Sequence, residues 1–390
     1  MSTIHRFAFP TTIHFGAGAR KLVAGHLRDA GKTRPLVVTD RGLAALPLLK
    51  SFVADLAGLE ASVYASVAGN PVKAQVTGGV DAYRAHRADS IIAIGGGAAL
   101  DVGKAVALMV DHPGDVLEYA WDHPQVRAIE RPLPYLVALP TTSGTGSEVG
   151  RSSVISDDET HVKKVIFSPA LLAKAVFADP ELTLGLPSLI TAATGMDALT
   201  HNVESYLSPA YHPLCDGIAL EGARIAAGAL RNAVRNGSDI GARSDMMMSS
   251  MMGAIAFQKD LGATHSCAHA LSTVADLHHG LANGIMIDHV MRFNLTAATT
   301  KLAELARVAK APGGDGGSED SRARAFITWL VALKADIGIP QRLSDYCAAR
   351  PVVKTDIPRL TEIAVQDVCH QTNPRPVSRE DFERLFVAAL

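Results

Sequence analysis

The sequence has no close pair of cysteines. Its four, Cys215, Cys267, Cys347 and Cys369, are scattered along 390 residues, which fits neither a disulfide framework nor a zinc ribbon and leaves them as small core residues. It also lacks a basic excess: 37 Lys and Arg face 39 Asp and Glu, for a formal net charge of -2. Nothing in that balance suits a phosphate backbone, so no nucleic-acid partner is expected. No stretch stays apolar for the ~20 residues that cross a bilayer, so no membrane helix is expected either. The start, MSTIHRFAFP, has no basic region leading into an apolar run, and a cytoplasmic location is the expectation.

What is present is enough apolar surface, 48% of residues, for real cores, and a length that suggests two domains at roughly 100–200 residues each. Two rhythms place the boundary near residue 184, giving 1–184 and 185–390. In the first part, short apolar runs alternate with glycine-punctuated helical segments: LVVTD at 36–40, ASVYA at 61–65, SIIAIGGG at 90–97, YLVALPTT at 135–142 and AVFADP at 175–180. That pattern predicts an α/β domain with a largely parallel sheet, its polar strand ends offering a ligand edge. Beyond Pro187 come long Ala, Leu and Met-rich segments at 213–235, 243–257, 264–275 and 322–337, which predict an all-α domain. The methionines 246–248, 251 and 252 read as core filling. The stretch APGGDGGSED at 311–320 reads as an exposed, mobile loop between helices.

Three segments carry chemistry. SIIAIGGGAALDVGK at 90–104 runs from a strand through glycines into a helix, so its backbone and free N–H groups could receive a pyrophosphate; the same glycines would also make a tight turn. PTTSGTGSE at 140–148 adds a loop of glycines and small hydroxyls suited to phosphate and ribose oxygens. Asp40, ending a strand, could accept from an adenosine ribose and repel a 2'-phosphate, favouring NAD over NADP, or could simply cap the next turn. In the second half, Asp197 and His201 lie four apart, on one face of a helix. His265, His269, His278 and His279 crowd 264–284. Together they form a ligand inventory for Fe²⁺ or Zn²⁺, and spacing alone points to His265 and His269 as a joint pair.

These segments, in order, resemble the iron-containing (group III) alcohol dehydrogenases along essentially the whole chain. The match rests on GGGAALDVGK at 95–104, TTSGTGSEV at 141–149, FADPELT at 177–183, GMDALTHNVE at 195–204 and the histidine-rich stretch ending in FN at 293–294. The resemblance implies a dehydroquinate synthase-like fold, a Rossmann-like dinucleotide domain followed by a helical metal-binding domain, with metal and nicotinamide meeting in the cleft between them. It implies Asp197, His201, His265 and His279 as metal ligands and moves His269 to a proton shuttle, with His278 beside the metal or incidental. Cofactor contacts are implied at Asp40, Asn70, Gly96, Gly97, Ala98, Asp101, Thr141, Thr142, Thr145, Ser147 and Lys164, with Ala98 standing where serine is usual.

The implied reaction is reversible hydride transfer between a small alcohol or aldehyde and NAD, on Fe²⁺ with Zn²⁺ also compatible, in a homodimer. Pocket positions match Gly150, Arg151, Ser152, Ala256 and Lys259, two of them basic, which raises an anionic or hydroxylated short aldehyde as substrate unless both cations face solvent. The rival readings are a maleylacetate reductase-like or glycerol-phosphate dehydrogenase-like relative, and a non-catalytic nucleotide-binding protein.

Overall fold

Apolar runs without alternation belong to strands covered on both faces, and the sheet is built from such runs. The computed structural model describes residues 7, 9, 11–160, 162–346 and 350–390; Cys347 and most of the MSTIHRFAFP start lie outside them. The described residues divide into two units, 9 and 11–142 with 146–160 and 162–183, and 184–346 and 350–390 with 7 and 143–145.

The first unit holds a six-stranded sheet in the order β1-β8-β5-β4-β2-β3, formed by β1 (Thr12–Phe15), β2 (Pro35–Asp40), β3 (Ser62–Val67), β4 (Ser90–Gly95), β5 (Tyr135–Pro140) and β8 (Ala175–Ala178). Every pairing is parallel. Helices α1 (Val23–Asp29), α2 (Arg41–Ala44), α3 (Pro47–Asp55), α4 (Lys73–His86) and α5 (Gly97–Met109) supply the crossovers. β4 is buried along its whole length, as the run SIIAIG demands. The chain leaves β2 toward one sheet edge through β3 and leaves β4 toward the other through β5, so the strand order reverses between β2 and β4. Open α/β sheets bind ligands at such a point.

Two features were not legible as strands. β1 is four residues long and half polar, and β6 (Ser152–Ser156) pairs antiparallel with β7 (Lys163–Phe167) in a separate hairpin, a departure from the parallel pattern.

The second unit is helical: α6 (Ser188–Leu207), α7 (Pro213–Arg235), α8 (Ile240–Ala256), α9 (Ala263–Ala275), α10 (His279–Asn294), α11 (Thr299–Val308), α12 (Glu319–Asp336), α13 (Ile357–Gln366) and α14 (Arg379–Ala389). Met246, Met247 and Met251 are buried, as expected of core filling. The glycine-rich stretch after α11 is a largely exposed loop whose last residues open α12. α6 is buried on almost every side. One glycine lets a second helix reach it: a Cβ on Gly280 would lie 2.3 Å from the Ala193 carbonyl oxygen and 3.1 Å from Asp197 Cβ, so only glycine allows the start of α10 to press on α6 at the level of Asp197.

Candidate metal centre

Three helices bring the predicted ligands together. Asp197 and His201 project from one face of α6, His265 from the first turn of α9, and His279 opens α10. Asp197 Oδ1 is 3.5 Å from His279 Nε2, 3.8 Å from His265 Nε2 and 4.0 Å from His201 Nε2. Ligand atoms of Asp197, His265 and His279 all lie within 4.8 Å of one another. His201 joins through Asp197 and by stacking on His265, ring centroids 4.6 Å apart. Burial pushes the His201 pKa down to about 4, so its imidazole is neutral near pH 7, the form in which histidine binds metal.

The donor set fits a divalent cation. One carboxylate and three imidazoles converge in a largely buried site, a mixture that suits Fe²⁺ and Zn²⁺ alike. Asn283, one turn into α10, stands among them: its Nδ2 donates to Asp197 Oδ1 at 2.8 Å and lies 3.3 and 3.2 Å from Nε2 of His265 and His279. Its Oδ1 is buried with no hydrogen-bond partner.

Sequence reasoning missed the carboxylate that holds this arrangement. Glu204, buried on α6, accepts from His265 Nδ1 at 2.7 Å and from the backbone N–H groups of Gly262, Thr264 and His265. It therefore occupies the positive end of α9, where helical N–H groups have no partner of their own. By holding the proton on Nδ1 it leaves Nε2 of His265 as the electron-pair donor facing Asp197. Burial alone would raise the Glu204 pKa, but the His265 hydrogen bond and charge and the Thr264 bonds hold it below the usual carboxylate range. Its presence in GMDALTHNVE was visible; its partner, 61 residues away, was not.

His269 stands apart from the ligands. Its Nδ1 bonds Asp367 Oδ2 at 2.7 Å and its ring stacks on His279 at 5.1 Å. His278 is exposed at the N-cap of α10.

In the sheet unit, a cleft of about 320 Å³ is lined by Asp40, Arg41, Gly69, Gly96, Ala98 and their neighbours, at the strand reversal between β2 and β4. Gly95 has φ +150, and a Cβ there would lie 2.6 Å from Ala99 Cβ and 2.9 Å from Asp40 Oδ2, so the glycine keeps the strand end open beside Asp40. Asp40 Oδ1 caps α2 through Leu43 N at 2.8 Å, and the residue also lines the cleft. Gly97 starts α5 with Gly96 as its N-cap. Thr142 lies against Gly96, Thr141 N bonds Gly95 O, and exposed Asn70 follows Gly69. Thr145 is half-buried and falls in the helical unit.

Other candidates have internal partners. Asp101 accepts from Ser147 Oγ at 2.6 Å and Val154 N at 3.1 Å. The buried Lys104 ammonium donates to Ser147 Oγ and to the Gly150 and Ser152 carbonyls, which fixes the loop after β5. Lys164 pairs with Asp122 at 2.6 Å. Lys259 is buried and ion-paired with Asp216, while Arg151 lies over the Phe167 ring at 5.2 Å.

A model described as iron-containing alcohol dehydrogenase matches residues 10–180, and one for the C-terminal part of the Fe-containing alcohol dehydrogenase family matches residues 191–390. The chain is 37% identical over 386 residues to 4-hydroxybutyrate dehydrogenase of Cupriavidus necator, covering 96% of this chain and 97% of that protein. It is 34% identical to NAD-dependent methanol dehydrogenase of Bacillus methanolicus, covering 98% and 99%. The solved structure of a 1,3-propanediol oxidoreductase superposes with a TM-score of 0.94 at 36% identity, covering 100% of both chains.

Proposed function

This chain belongs to the iron-containing alcohol dehydrogenase family and is an oxidoreductase acting on CH–OH groups; on that premise we propose that it interconverts a small alcohol and its aldehyde or ketone, with NAD as cofactor and Fe²⁺ held by Asp197, His201, His265 and His279. The observation that carries the reading is the convergence of those four side chains on one buried point, with Glu204 fixing the tautomer of His265. When bound, the ion supplies Lewis acidity toward the substrate oxygen and the nicotinamide exchanges hydride. The chain's own residues do the rest. Glu204 and Asn283 orient the ligands, and His269, a side chain suited to proton exchange near neutrality, takes the hydroxyl proton and passes it to solvent.

Asp40, Gly96, Gly97 and Ala98 receive the nucleotide at the switch-point cleft, with Asn70, Thr141 and Thr142 as further contacts. Asp101 and Ser147 contribute through their mutual bond, and Lys164 through the exposed face of its pair with Asp122. A carboxylate at Asp40 disfavours the 2'-phosphate of NADP, and the NAD-linked relative supports the same choice. Because Lys259 is engaged by Asp216, an uncharged short substrate fits better than an anionic one. We further read the protein as a cytoplasmic homodimer. Strand β1 lies at a sheet edge, a natural place for a second copy to add. Reducing surroundings suit both ferrous iron and the buried thiols of Cys215 and Cys267.

The test is oxidation of 1,3-propanediol, 4-hydroxybutyrate and methanol by iron-loaded protein with NAD⁺ or NADP⁺. Turnover of the diol with NAD⁺ preferred by about tenfold or more, the scale of 1.4 kcal/mol, is expected. No turnover of any of the three, or a preference for NADP⁺, would contradict the reading.

A further inference from the structure

Outside the ligand set, Glu204 is not the one carboxylate held by several bonds near the site: Asp367, which directly follows α13, accepts three. Its Oδ2 accepts from His269 Nδ1 at 2.7 Å; its Oδ1 accepts from Ser266 Oγ at 2.8 Å and from Cys369 N at 2.9 Å. Ser266 in turn accepts from His370 N at 2.9 Å. Three of these bonds tie one face of α9 to the turn at 367–370 and the fourth closes the turn on itself, so neither the carboxylate nor the His269 ring is left to choose its orientation.

His269, Asp367 and Cys369 also lie close enough to hold an ion between them, but chemistry argues otherwise. Both carboxylate oxygens already accept from the three donors above, and burial pushes the Cys369 thiol pKa up, away from the thiolate that metals prefer. The site is a closed hydrogen-bond hub whose one incompletely committed member is the His269 ring.

We propose that Asp367 is the positioning residue for proton transfer: it holds the proton of His269 on Nδ1, so that Nε2 alone exchanges a proton with substrate and solvent. This rests on the reading of His269 as the shuttle. In the oxidation direction the alcohol gives up a hydride to NAD⁺ and its O–H proton to Nε2, yielding the carbonyl compound, NADH and an imidazolium. The imidazolium keeps its Nδ1 proton on Asp367 and returns the other from Nε2 to solvent, so charge and protons balance. A carboxylate facing Nδ1 fixes the tautomer and stabilises the transient cation. Burial alone would raise the Asp367 pKa, but the charge and hydrogen bond of His269 and the Ser266 and Cys369 donors hold it well below the usual range, so the carboxylate is ionised at working pH. The design parallels Glu204 and His265: two histidines on successive turns of α9, each with Nδ1 fixed by a carboxylate from elsewhere in the unit.

The experiment uses metal-loaded wild type, His269→Ala, Asp367→Asn and the double variant, measuring bound metal, kcat, KM and the solvent deuterium isotope effect on alcohol oxidation. Asn keeps the size of Asp and presents an amide that cannot serve as the anion. The expected result for Asp367→Asn is bound metal and KM within about twofold of wild type, with kcat lower by roughly 10–100-fold and a larger isotope effect. The double variant should be no slower than His269→Ala, because residues acting as a unit are non-additive. If Asp367→Asn does not yield soluble protein, Ser266→Ala removes one bond to the same carboxylate and should lower kcat by about fivefold at most. Wild-type kcat in Asp367→Asn, or losses that multiply in the double variant, would overturn the positioning role while leaving the shuttle intact. Wild-type kcat in His269→Ala would overturn the shuttle, and the role of Asp367 with it.

Discussion

At the scale of single residues, two positions are held away from their preferred state. His201 is a buried base whose folded pKa is about 4 against an ordinary value near 6.5. As pH falls, the unfolded chain takes up a proton at this side chain before the folded one does, so the folded state loses stability from about pH 6.5 down to about pH 4 and is unaffected above that window. Comparison with His201→Gln isolates the effect. In metal-free protein, the stability advantage of wild type over the variant should shrink by roughly 3 kcal/mol across the window, at ~1.4 kcal/mol per pH unit, as read by urea unfolding. An advantage that stays constant would show that His201 titrates normally. The second position is Asp260, at φ 62 and ψ -177, a region open essentially to glycine and costing other residues about 1–3 kcal/mol. Asp260→Gly should therefore raise the thermal midpoint by several degrees in a calorimetric scan; a lower midpoint would mean that the aspartate side chain makes compensating interactions.

At the scale of elements, the metal centre depends on how α6, α9 and α10 meet. Glu204 joins α6 to α9 by four hydrogen bonds, two of them from His265, through its backbone N–H and its Nδ1. Glu204→Gln retains an acceptor for the backbone but presents a weaker, uncharged partner to Nδ1. Its metal affinity should fall by roughly 10–100-fold, measured by competition with a chelator, while circular dichroism stays unchanged. Wild-type affinity would mean that the three-helix junction fixes His265 without the carboxylate. The same junction explains what could be read in advance. Asp197 and His201 share a helix face, so a spacing of four revealed them, and the helices and buried strands announced themselves through long apolar periodicities and runs. The orienting partners did not. Glu204 and Asp367 act on histidines 61 and 98 residues away, pairings that exist only after α6, α9 and the turn beyond α13 have packed. The His265 and His269 spacing suggests a joint ligand pair, but the donor atoms that gather at Asp197 are those of His265 and His279, and His269 groups with Asp367 and Cys369 instead. Short elements were equally hidden: β1 and the β6–β7 hairpin have too few residues for a periodicity to stand out.

At the scale of the whole molecule, each of two units gathers its candidate residues at one place. The sheet unit opens a cleft where its strand order reverses, with Asp40 on one strand end and the glycines of another opposite it. The helical unit gathers three histidines and an aspartate around a buried point. The broad class of fold followed from the change of rhythm near residue 184, because parallel sheets and helical bundles bury their apolar residues in different sequence patterns. The partners of Lys259 and Lys104 followed from nothing in the sequence, since each is set by side chains and carbonyls more than 40 residues distant. Alcohol oxidation is proposed to depend on an ion held by the four converging side chains. The most direct test is metal analysis of anaerobically purified protein combined with NADH oxidation on short aldehydes, for wild type and His265→Ala. About one iron per chain and aldehyde-dependent turnover are expected in the wild type, both lost in the variant. Full activity in metal-free wild type, or an active His265→Ala, would contradict that dependence.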